Sequence, residues 1–202
     1  MTNKGDFMYS FVLILATIII RTLGKVEVQN KQTLPRKGGY VLTCTHKGWL
    51  DVVVLAICTP RPIHFMAKQE LFQNKLIARF LFAINAFPVN RETPSPSSIK
   101  IPVKQLKSGE VVGIFPGGTR TVEDVSLKRG AVTIANLAKV PVVPAAYEGP
   151  ATLKELVKAR KATVIFGEPF HVNTNSKDEL NAFTNLLSEK THFLQSQISK
   201  QN

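Results

Sequence analysis

The 202-residue sequence predicts an α/β protein with a mostly parallel central sheet flanked by helices. Beyond residue 24, short β-rich runs alternate with longer helical patterns, as in chains built from βαβ units. Runs such as Val-Val-Gly-Ile-Phe at 111–115 are apolar throughout, which is typical of strands buried on both faces. The length suits one domain with a sizeable core, which we assign to residues 25–202, preceded by an apolar segment at residues 1–24.

The expected elements follow from this alternation. Six strands are predicted from runs of β-branched, aromatic and other apolar residues: Tyr40–Cys44, Ile63–Met66, Ala86–Val89, Val111–Phe115, Val142–Tyr147 and Thr163–Phe166. Five helices are predicted between and after them: Leu50–Cys58, Glu70–Ile84, Ser98–Leu106, Lys128–Ala138 and Lys177–Ser199.

The N-terminal segment is a nearly continuous apolar run from Phe7 to Ile20, with Lys4 before it and Arg21 after it. As a helix this run would span about 21 Å, which is shorter than the hydrocarbon core of a bilayer, about 30 Å. We therefore expect a monotopic helical anchor that dips into one leaflet, beside basic residues that meet anionic headgroups. A buried helix and a signal peptide are the alternatives, although no convincing cleavage site follows the run.

The charge of the chain predicts an acidic partner. There are 26 basic and 14 acidic residues, which gives a formal net charge of +12. Anionic lipid, a phosphorylated substrate, an acidic carrier protein and nucleic acid all fit this charge. Nucleic acid is disfavoured because the sequence shows no recognised nucleic-acid module. Between Val28 and Gln69 the one acid is Asp51 among six bases, so we expect much of the positive field to face the region around it.

The first candidate site is a histidine and a carboxylate five positions apart, His46 and Asp51. An imidazole titrates near neutrality and can act as a base, and a carboxylate that bonds one ring nitrogen leaves the other as the proton acceptor. Five residues along one helix turn a side chain by about 140°, so we expect His46 in a turn and Asp51 in the first turn of the next helix. Gly48 is expected to supply backbone freedom in that turn. The alternative is that Asp51 merely supports a helix N-terminus.

Two arginines beside tight turns are candidate phosphate ligands. One segment, Phe-Pro-Val-Asn-Arg, ends at Arg91, and the other, Phe-Pro-Gly-Gly-Thr-Arg, ends at Arg120. A guanidinium binds phosphate through a planar fork, and Gly117 and Gly118 allow backbone N–H groups to approach an anion. Because His46 and both arginines follow predicted strands, we expect them to converge at the carboxyl edge of the sheet.

These blocks occur in a fixed order that ends with Val-Pro-Val-Val-Pro at 140–144. Together they resemble the 1-acyl-sn-glycerol-3-phosphate acyltransferase family, whose blocks are H-x-x-x-x-D, an F-x-x-R-like segment, F-P-E-G-T-R and a V-P-x-x-P-like strand. The resemblance runs from about Val41 to Pro144. Gly117 departs from it, because the family usually has glutamate there. The last block suits either a wall near an acyl chain or a buried strand.

The resemblance implies transfer of a fatty acyl group from an acyl thioester, acyl-CoA or acyl carrier protein, to the free hydroxyl of 1-acyl-sn-glycerol 3-phosphate (lysophosphatidic acid). The product is phosphatidic acid, in phospholipid biosynthesis. His46 would remove the hydroxyl proton, and Asp51 would orient and support His46. Because the acceptor alcohol attacks directly in this family, Cys44 is expected to be a core thiol. The implied substrate-binding residues are Lys68, Arg91, Gly117, Gly118, Thr119 and Arg120.

Two further readings stay open. One is an acyltransferase with another acceptor, such as glycerol 3-phosphate, another lysophospholipid or a non-phosphate lipid, because Gly117 replaces the family glutamate. The other is a noncatalytic membrane-surface protein that binds anionic lipid. We expect no metal and no organic cofactor, because the remaining histidines lack partners at metal-ligand spacing and no Walker loop is present. We expect the protein at the cytoplasmic face of the cell membrane, monotopic or peripheral, where thioester donors are available.

Overall fold

A central sheet with helices on both faces organises the molecule. The structure, a computed structural model, describes residues 4–90, 96–116, 122–159 and 161–200. The strands are β1 (Lys25–Gln29), β2 (Tyr40–Cys44), β3 (Ile63–Lys68), β4 (Ala86–Val89), β5 (Val111–Ile114), β6 (Pro141–Glu148), β7 (Lys161–Phe166) and β8 (Phe170–His171). The helices are α1 (Lys4–Leu23), α2 (Trp49–Cys58), α3 (Lys75–Ala83), α4 (Pro96–Lys107), α5 (Val122–Ala138), α6 (Leu153–Ala159) and α7 (Lys177–Ser199), with short 3₁₀ helices at Lys31–Thr33 and Gln69–Phe72.

The strand order is β1-β7-β6-β2-β5-β3-β4, with β8 beside β6. Among the described strands, five of the seven pairings are parallel, and the two antiparallel pairings join β6 to β7 and to β8. The predicted fold class, α/β with a mostly parallel sheet flanked by helices, is therefore confirmed. Strand β2 lies at the centre, parallel to both β5 and β6, so the residues after it emerge in the middle of the carboxyl edge.

The two faces of β2 belong to different cores. Tyr40, Leu42 and Cys44 pack in the core that includes α1 and α2, whereas Val41 packs in the core that includes α5. Every residue of β2 and β5 is buried, because helices cover both faces. This burial explains why these strands read as continuous apolar runs rather than as alternating ones.

Several predicted boundaries need correction. The helix predicted over Glu70–Ile84 is interrupted, because the side chain of Asn74 accepts hydrogen bonds from the backbone N–H groups of Leu76 and Ile77 and caps α3. Helix α5 begins at Val122, six residues before the predicted start. The sequence analysis missed β1, β8 and α6, which are short. Strand β2, strand β4 and helix α7 coincide with their predicted ranges.

Helix α1 contains the apolar N-terminal run. Tyr9 and Ile20 are buried against the domain, and the Tyr9 hydroxyl accepts a hydrogen bond of 3.0 Å from the N–H of Ile63. Phe7, Phe11, Ile14 and other large apolar side chains of the helix remain half exposed or more. In the described part of the chain, no helix combines the length and the apolar character needed to cross a bilayer. The membrane association of this segment and the boundary at residue 24 stay predictions.

Candidate active site

Three chain segments meet at the carboxyl edge of the sheet. Strand β2 pairs in parallel with β5 and with β6, with Thr43 opposite Ile114 and Cys44 opposite Ala145. The turn that follows β2 therefore lies beside Phe115 on one flank and beside the end of β6 on the other. This is the position that the sequence predicts for His46.

His46 and Asp51 form a direct hydrogen-bonded pair. The ring Nδ1 of His46 lies 2.9 Å from Oδ1 of Asp51, and the Asp51 side chain is 1% exposed whereas that of His46 is 39% exposed. Because Nδ1 faces a carboxylate oxygen, it carries the hydrogen, and the opposite nitrogen Nε2 is left as the proton acceptor. The predicted arrangement, with His46 in the turn and Asp51 at the third residue of α2, is confirmed.

The second oxygen of Asp51 holds the backbone of the turn. Oδ2 accepts the N–H of Lys47 at 2.5 Å and the N–H of Gly48 at 2.9 Å. The carboxylate also lies at the N-terminus of α2, where the helix dipole favours negative charge. Asp51 thus supports the helix start and the histidine at once, so the two readings of this residue are not exclusive.

Gly48 is needed for space rather than for backbone freedom. Its φ of −174° is extended backbone that any residue adopts, so the prediction of special backbone freedom is wrong. A Cβ at this position would lie 2.7 Å from the carbonyl oxygen of Ala151 and 2.8 Å from its Cβ. The same carbonyl accepts a hydrogen bond of 3.4 Å from the N–H of Leu50. The loop after β6 therefore packs tightly against the turn that carries His46.

Aromatic rings border the histidine. The ring centroids of His46 and Phe115 lie 6.0 Å apart, and Phe115 stacks on Phe65 at 5.8 Å. Trp49, at the start of α2, is 53% exposed. His46 therefore lies beside a pair of stacked aromatic rings.

Cys44 is a core residue, as expected. Its side chain is 1% exposed, and burial, with a smaller contribution from the Asp51 charge, raises the pKa of the thiol far above its ordinary value. A thiolate nucleophile at this position is therefore disfavoured.

The end of β6 supports the turn that carries His46 through residues that the sequence analysis missed. Thr45 Oγ1 accepts the N–H of Tyr147 at 2.9 Å, and the Tyr147 hydroxyl donates to the carbonyl of Pro150 at 2.7 Å. Lys47 Nζ lies 2.7 Å from Oε1 of Glu148, whose other oxygen accepts from the Gln195 amide. No local motif marks Gln195, because it approaches the turn from α7, 150 residues further along the chain.

The fourth sequence block is a buried strand. Val142 and Val143 are fully buried and Pro144 is buried too, because β6 lies between β2 and β7 in the sheet. The prediction that this block is a buried strand is confirmed. The alternative prediction, a wall near an acyl chain, is not supported. Its contribution to the site is to position the residues that follow it.

The predicted phosphate ligands are only partly covered by the structure. Lys68 ends β3 and is exposed, and β5 separates β3 from β2, which corresponds to about 10 Å across the sheet. The other predicted substrate-binding residues, Arg91, Gly117, Gly118, Thr119 and Arg120, lie outside the described residues. Their convergence on His46 stays a prediction. Within the described ranges, no group of three or more His, Cys, Asp and Glu side chains is placed to hold a metal ion.

Comparison with known proteins connects this geometry to a chemistry. The family model described as "Acyltransferase" matches residues 25–148, which include the His46–Asp51 pair. The chain is 52% identical to a 1-acyl-sn-glycerol-3-phosphate acyltransferase of Bacillus subtilis, over 96% of this chain and 100% of that protein. It is 36% identical to a 1-acyl-sn-glycerol-3-phosphate acyltransferase of Streptococcus pneumoniae, over 87% of this chain and 68% of that protein.

A solved structure shares the fold. The crystal structure of the 1-acyl-sn-glycerophosphate (LPA) acyltransferase from Thermotoga maritima matches with a TM-score of 0.68 at 20% identity. The match covers 97% of this chain and 83% of that one.

Proposed function

The chain belongs to the 1-acyl-sn-glycerol-3-phosphate acyltransferase family and is an acyltransferase, and from this premise we propose its substrates and mechanism. The acceptor is 1-acyl-sn-glycerol 3-phosphate, and the donor is an acyl thioester, acyl-CoA or acyl carrier protein. The product is phosphatidic acid for phospholipid biosynthesis. The observation that carries the proposal is the His46–Asp51 pair, whose geometry leaves Nε2 of His46 as the proton acceptor.

The reaction needs one base and one leaving group. Nε2 of His46 takes the proton of the acceptor hydroxyl as that oxygen attacks the thioester carbonyl carbon. The tetrahedral intermediate collapses, the C–S bond breaks, and the departing sulfur takes the proton back from the imidazolium. Asp51 stabilises the imidazolium between these two transfers. The thioester is already activated, so no ATP site is required.

Charge supports the choice of substrates. A net charge of +12 suits both an acceptor that carries a phosphate and a donor that carries either phosphates or an acidic protein. We assign the acceptor phosphate to Lys68, Arg91 and Arg120, with the backbone of Gly117, Gly118 and Thr119, on the strength of the sequence motifs. Because Gly117 replaces the family glutamate, an acyltransferase with another acceptor is the second candidate function.

A noncatalytic lipid-binding role is the weaker alternative. It requires only the basic field and the N-terminal anchor. It gives no account of a buried carboxylate that is bonded both to a histidine and to the turn that carries it.

An exposed apolar surface on one side of the sheet supports attachment to the membrane. We define it by large side chains of α1 and α3 and the start of α2: Phe7, Phe11, Ile14, Ile18, Leu76, Phe80, Phe82 and Trp49, all more than half exposed. Helices α1 and α3 contact each other, and α3 carries Lys75 and Arg79 beside its apolar residues. Exposed apolar side chains on neighbouring helices, with cations among them, suit an anionic bilayer. We therefore place the enzyme at the cytoplasmic face of the cell membrane, monotopic or peripheral.

Vesicle flotation tests this attachment. Phe11→Glu combined with Phe80→Glu should lower binding to anionic vesicles several-fold, because it places two charges at the lipid contact. Phe193→Glu, on α7 at the other face of the sheet and 62% exposed, is the matched control. Equal loss in both variants, or none in either, would contradict the assignment.

An acceptor panel tests the chemistry. Purified protein is incubated with labelled acyl-CoA or acyl carrier protein and with 1-acyl-sn-glycerol 3-phosphate, glycerol 3-phosphate, other lysophospholipids or a non-phosphate lipid. The proposal expects labelled phosphatidic acid as the main product. Faster acylation of another acceptor would replace the proposed substrate, and no acylation of any acceptor would favour the noncatalytic role.

A further inference from the structure

A cavity of about 190 Å³ lies on the α5 and α7 side of the turn that carries His46. It is lined by residues from the end of β2, from α5 and from α7, among them Thr45, Lys47, Pro116, Lys128, His192 and Gln195. The described lining contains two lysines and a histidine and no carboxylate. The cavity therefore lies next to the turn that carries His46, and its described lining bears cations but no carboxylate.

Lys128 is the unusual member of this lining. Its side chain is 8% exposed, and it makes no ion pair or hydrogen bond with any residue that the structure describes. Lys47 differs, because its ammonium is neutralised by Glu148 at 2.7 Å. The Lys128 ammonium is therefore a positive charge that no described carboxylate neutralises, at a cavity where a ligand can supply the missing charge.

The surrounding donors fit an oxygen-rich anion. Helix α7 presents the His192 ring and the Gln195 amide at the cavity, and a lysine ammonium is a common phosphate ligand. Pro116 and Leu187 add an apolar part to the lining, and the attraction between an ammonium and an anion is stronger beside such a surface than in open solvent.

The cavity lies apart from two of the predicted acceptor ligands, Lys68 and Arg91. Lys68 ends β3 and the segment leading to Arg91 follows β4, and both strands lie beyond β5 as seen from β2. The cavity lies at the end of β2 against α7, and Pro116, which lines it, directly precedes the predicted ligands at 117–120. A reaction between two phosphorylated molecules needs anion contacts for both, and the cavity is placed to supply one of them.

We propose that this cavity is a phosphate-binding site of the enzyme, in which the Lys128 ammonium binds a substrate phosphate. The inference rests on the proposed acyl transfer from a thioester to a phosphorylated lipid. The phosphate belongs either to the acceptor or to the phosphopantetheine arm that acyl-CoA and acyl carrier protein share.

Direct binding is the first test. Inorganic phosphate, sn-glycerol 3-phosphate and 4′-phosphopantetheine are titrated into the full chain in detergent while the backbone amides of Thr45, Lys47 and Gln195 are followed by NMR. Lys128→Met should weaken phosphate binding at these amides about tenfold, because it removes a charged donor and keeps the apolar stem. Lys128→Arg should retain most of the affinity. Lys154→Met, on the exposed face of α6, removes the same charge elsewhere and should change nothing.

Steady-state kinetics assigns the source of the phosphate. A KM that rises for 1-acyl-sn-glycerol 3-phosphate alone identifies the acceptor, and one that rises for the thioester alone identifies the donor. Unchanged phosphate affinity in Lys128→Met, or unchanged KM values for both substrates, would overturn the inference. If Lys128→Met does not fold, the NMR titration of the wild-type protein is the test. If none of the three phosphate compounds shifts the amide signals of Thr45, Lys47 and Gln195, the inference is overturned. Failure of the proposed function would differ, because the wild-type protein would then transfer no acyl group to the phosphorylated acceptor.

Discussion

Asp51 and Lys128 are two charged residues of low exposure on opposite faces of the same sheet. They differ in the partners that the protein provides for their charges. Asp51 has three hydrogen-bond donors, one from His46 and two from the backbone of the turn. Lys128 is nearly as buried and has no partner among the described residues. Both lie close to the end of β2, so the contrast concerns two sides of one active site.

The difference indicates that Asp51 acts on groups within the protein, whereas Lys128 is available to a substrate. A buried carboxylate with every oxygen bonded needs no ligand and holds the base in place before substrate arrives. An ammonium at a cavity, with no described carboxylate beside it, can bind the phosphate that we propose for it. Substitutions at and around these residues test this division, beginning with the largest expected effect.

Replacing His46 with alanine should lower kcat by about 10²–10⁴-fold, because the general base is lost. The free energy of unfolding should change little, because the ring is 39% exposed. The measurements are acyl transfer with 1-acyl-sn-glycerol 3-phosphate and thermal unfolding of the same sample. Activity within a fewfold of the wild type in a folded sample would reject the role of His46.

Replacing Asp51 with alanine should destabilise the fold by about 2–4 kcal/mol, because two backbone N–H groups and the imidazole lose their acceptor in a buried place. Denaturant unfolding measures this cost. Asp51→Asn is the matched control, because its carbonyl keeps the backbone bonds while its amide faces Nδ1 and reverses the histidine tautomer. That variant should retain most of the stability and lose most of the activity. Equal stability of both variants would show that the carboxylate is not a support of the turn.

Replacing Gly48 with alanine should destabilise the protein by about 1–3 kcal/mol and lower kcat, because the new Cβ meets the backbone of Ala151 and displaces the turn. Gly130→Ala is the control, since a Cβ there meets nothing within 4 Å and the residue lies inside α5. That change should stabilise the helix by up to about 1 kcal/mol. If Gly48→Ala changes neither the free energy of unfolding nor kcat, the loop after β6 can shift at little cost to admit the new Cβ.

Replacing Lys128 with methionine should change the free energy of unfolding by less than about 0.5 kcal/mol in the absence of substrate, because the ammonium has no partner among the described residues and the apolar stem is kept. The variant should also lose the stabilisation that phosphate gives to the wild type. The loss of stability expected at Asp51 is much larger. Unfolding titrations of the wild type and the Lys128 variant, with and without phosphate, measure both effects of the substitution. A destabilised variant would mean that Lys128 has a partner within the protein.

The parts of the site that sequence predicts are those carried by local spacing. The His46–Asp51 separation fits a turn followed by a helix, and the structure has that arrangement. The burial of Cys44 follows from its place in an apolar strand. The interruption of the helix predicted over Glu70–Ile84 was missed, because the capping bonds of Asn74 outweigh an otherwise helical pattern. The requirement for Gly48 was misassigned, because the neighbour that crowds it, Ala151, is 103 residues away along the chain.

The sequence by itself determined the α/β class and the pairing of His46 with Asp51, because strand periodicity and residue spacing are local. The acyltransferase activity followed from the resemblance of its ordered sequence blocks to a known family. Only the tertiary structure decided that the loop after β6 closes over Gly48, that Gln195 reaches the turn from α7, and that Lys128 is buried beside a cavity. These contacts depend on which strands are neighbours in the sheet. Strand order is set by packing across the whole domain, and no short stretch of the chain encodes it.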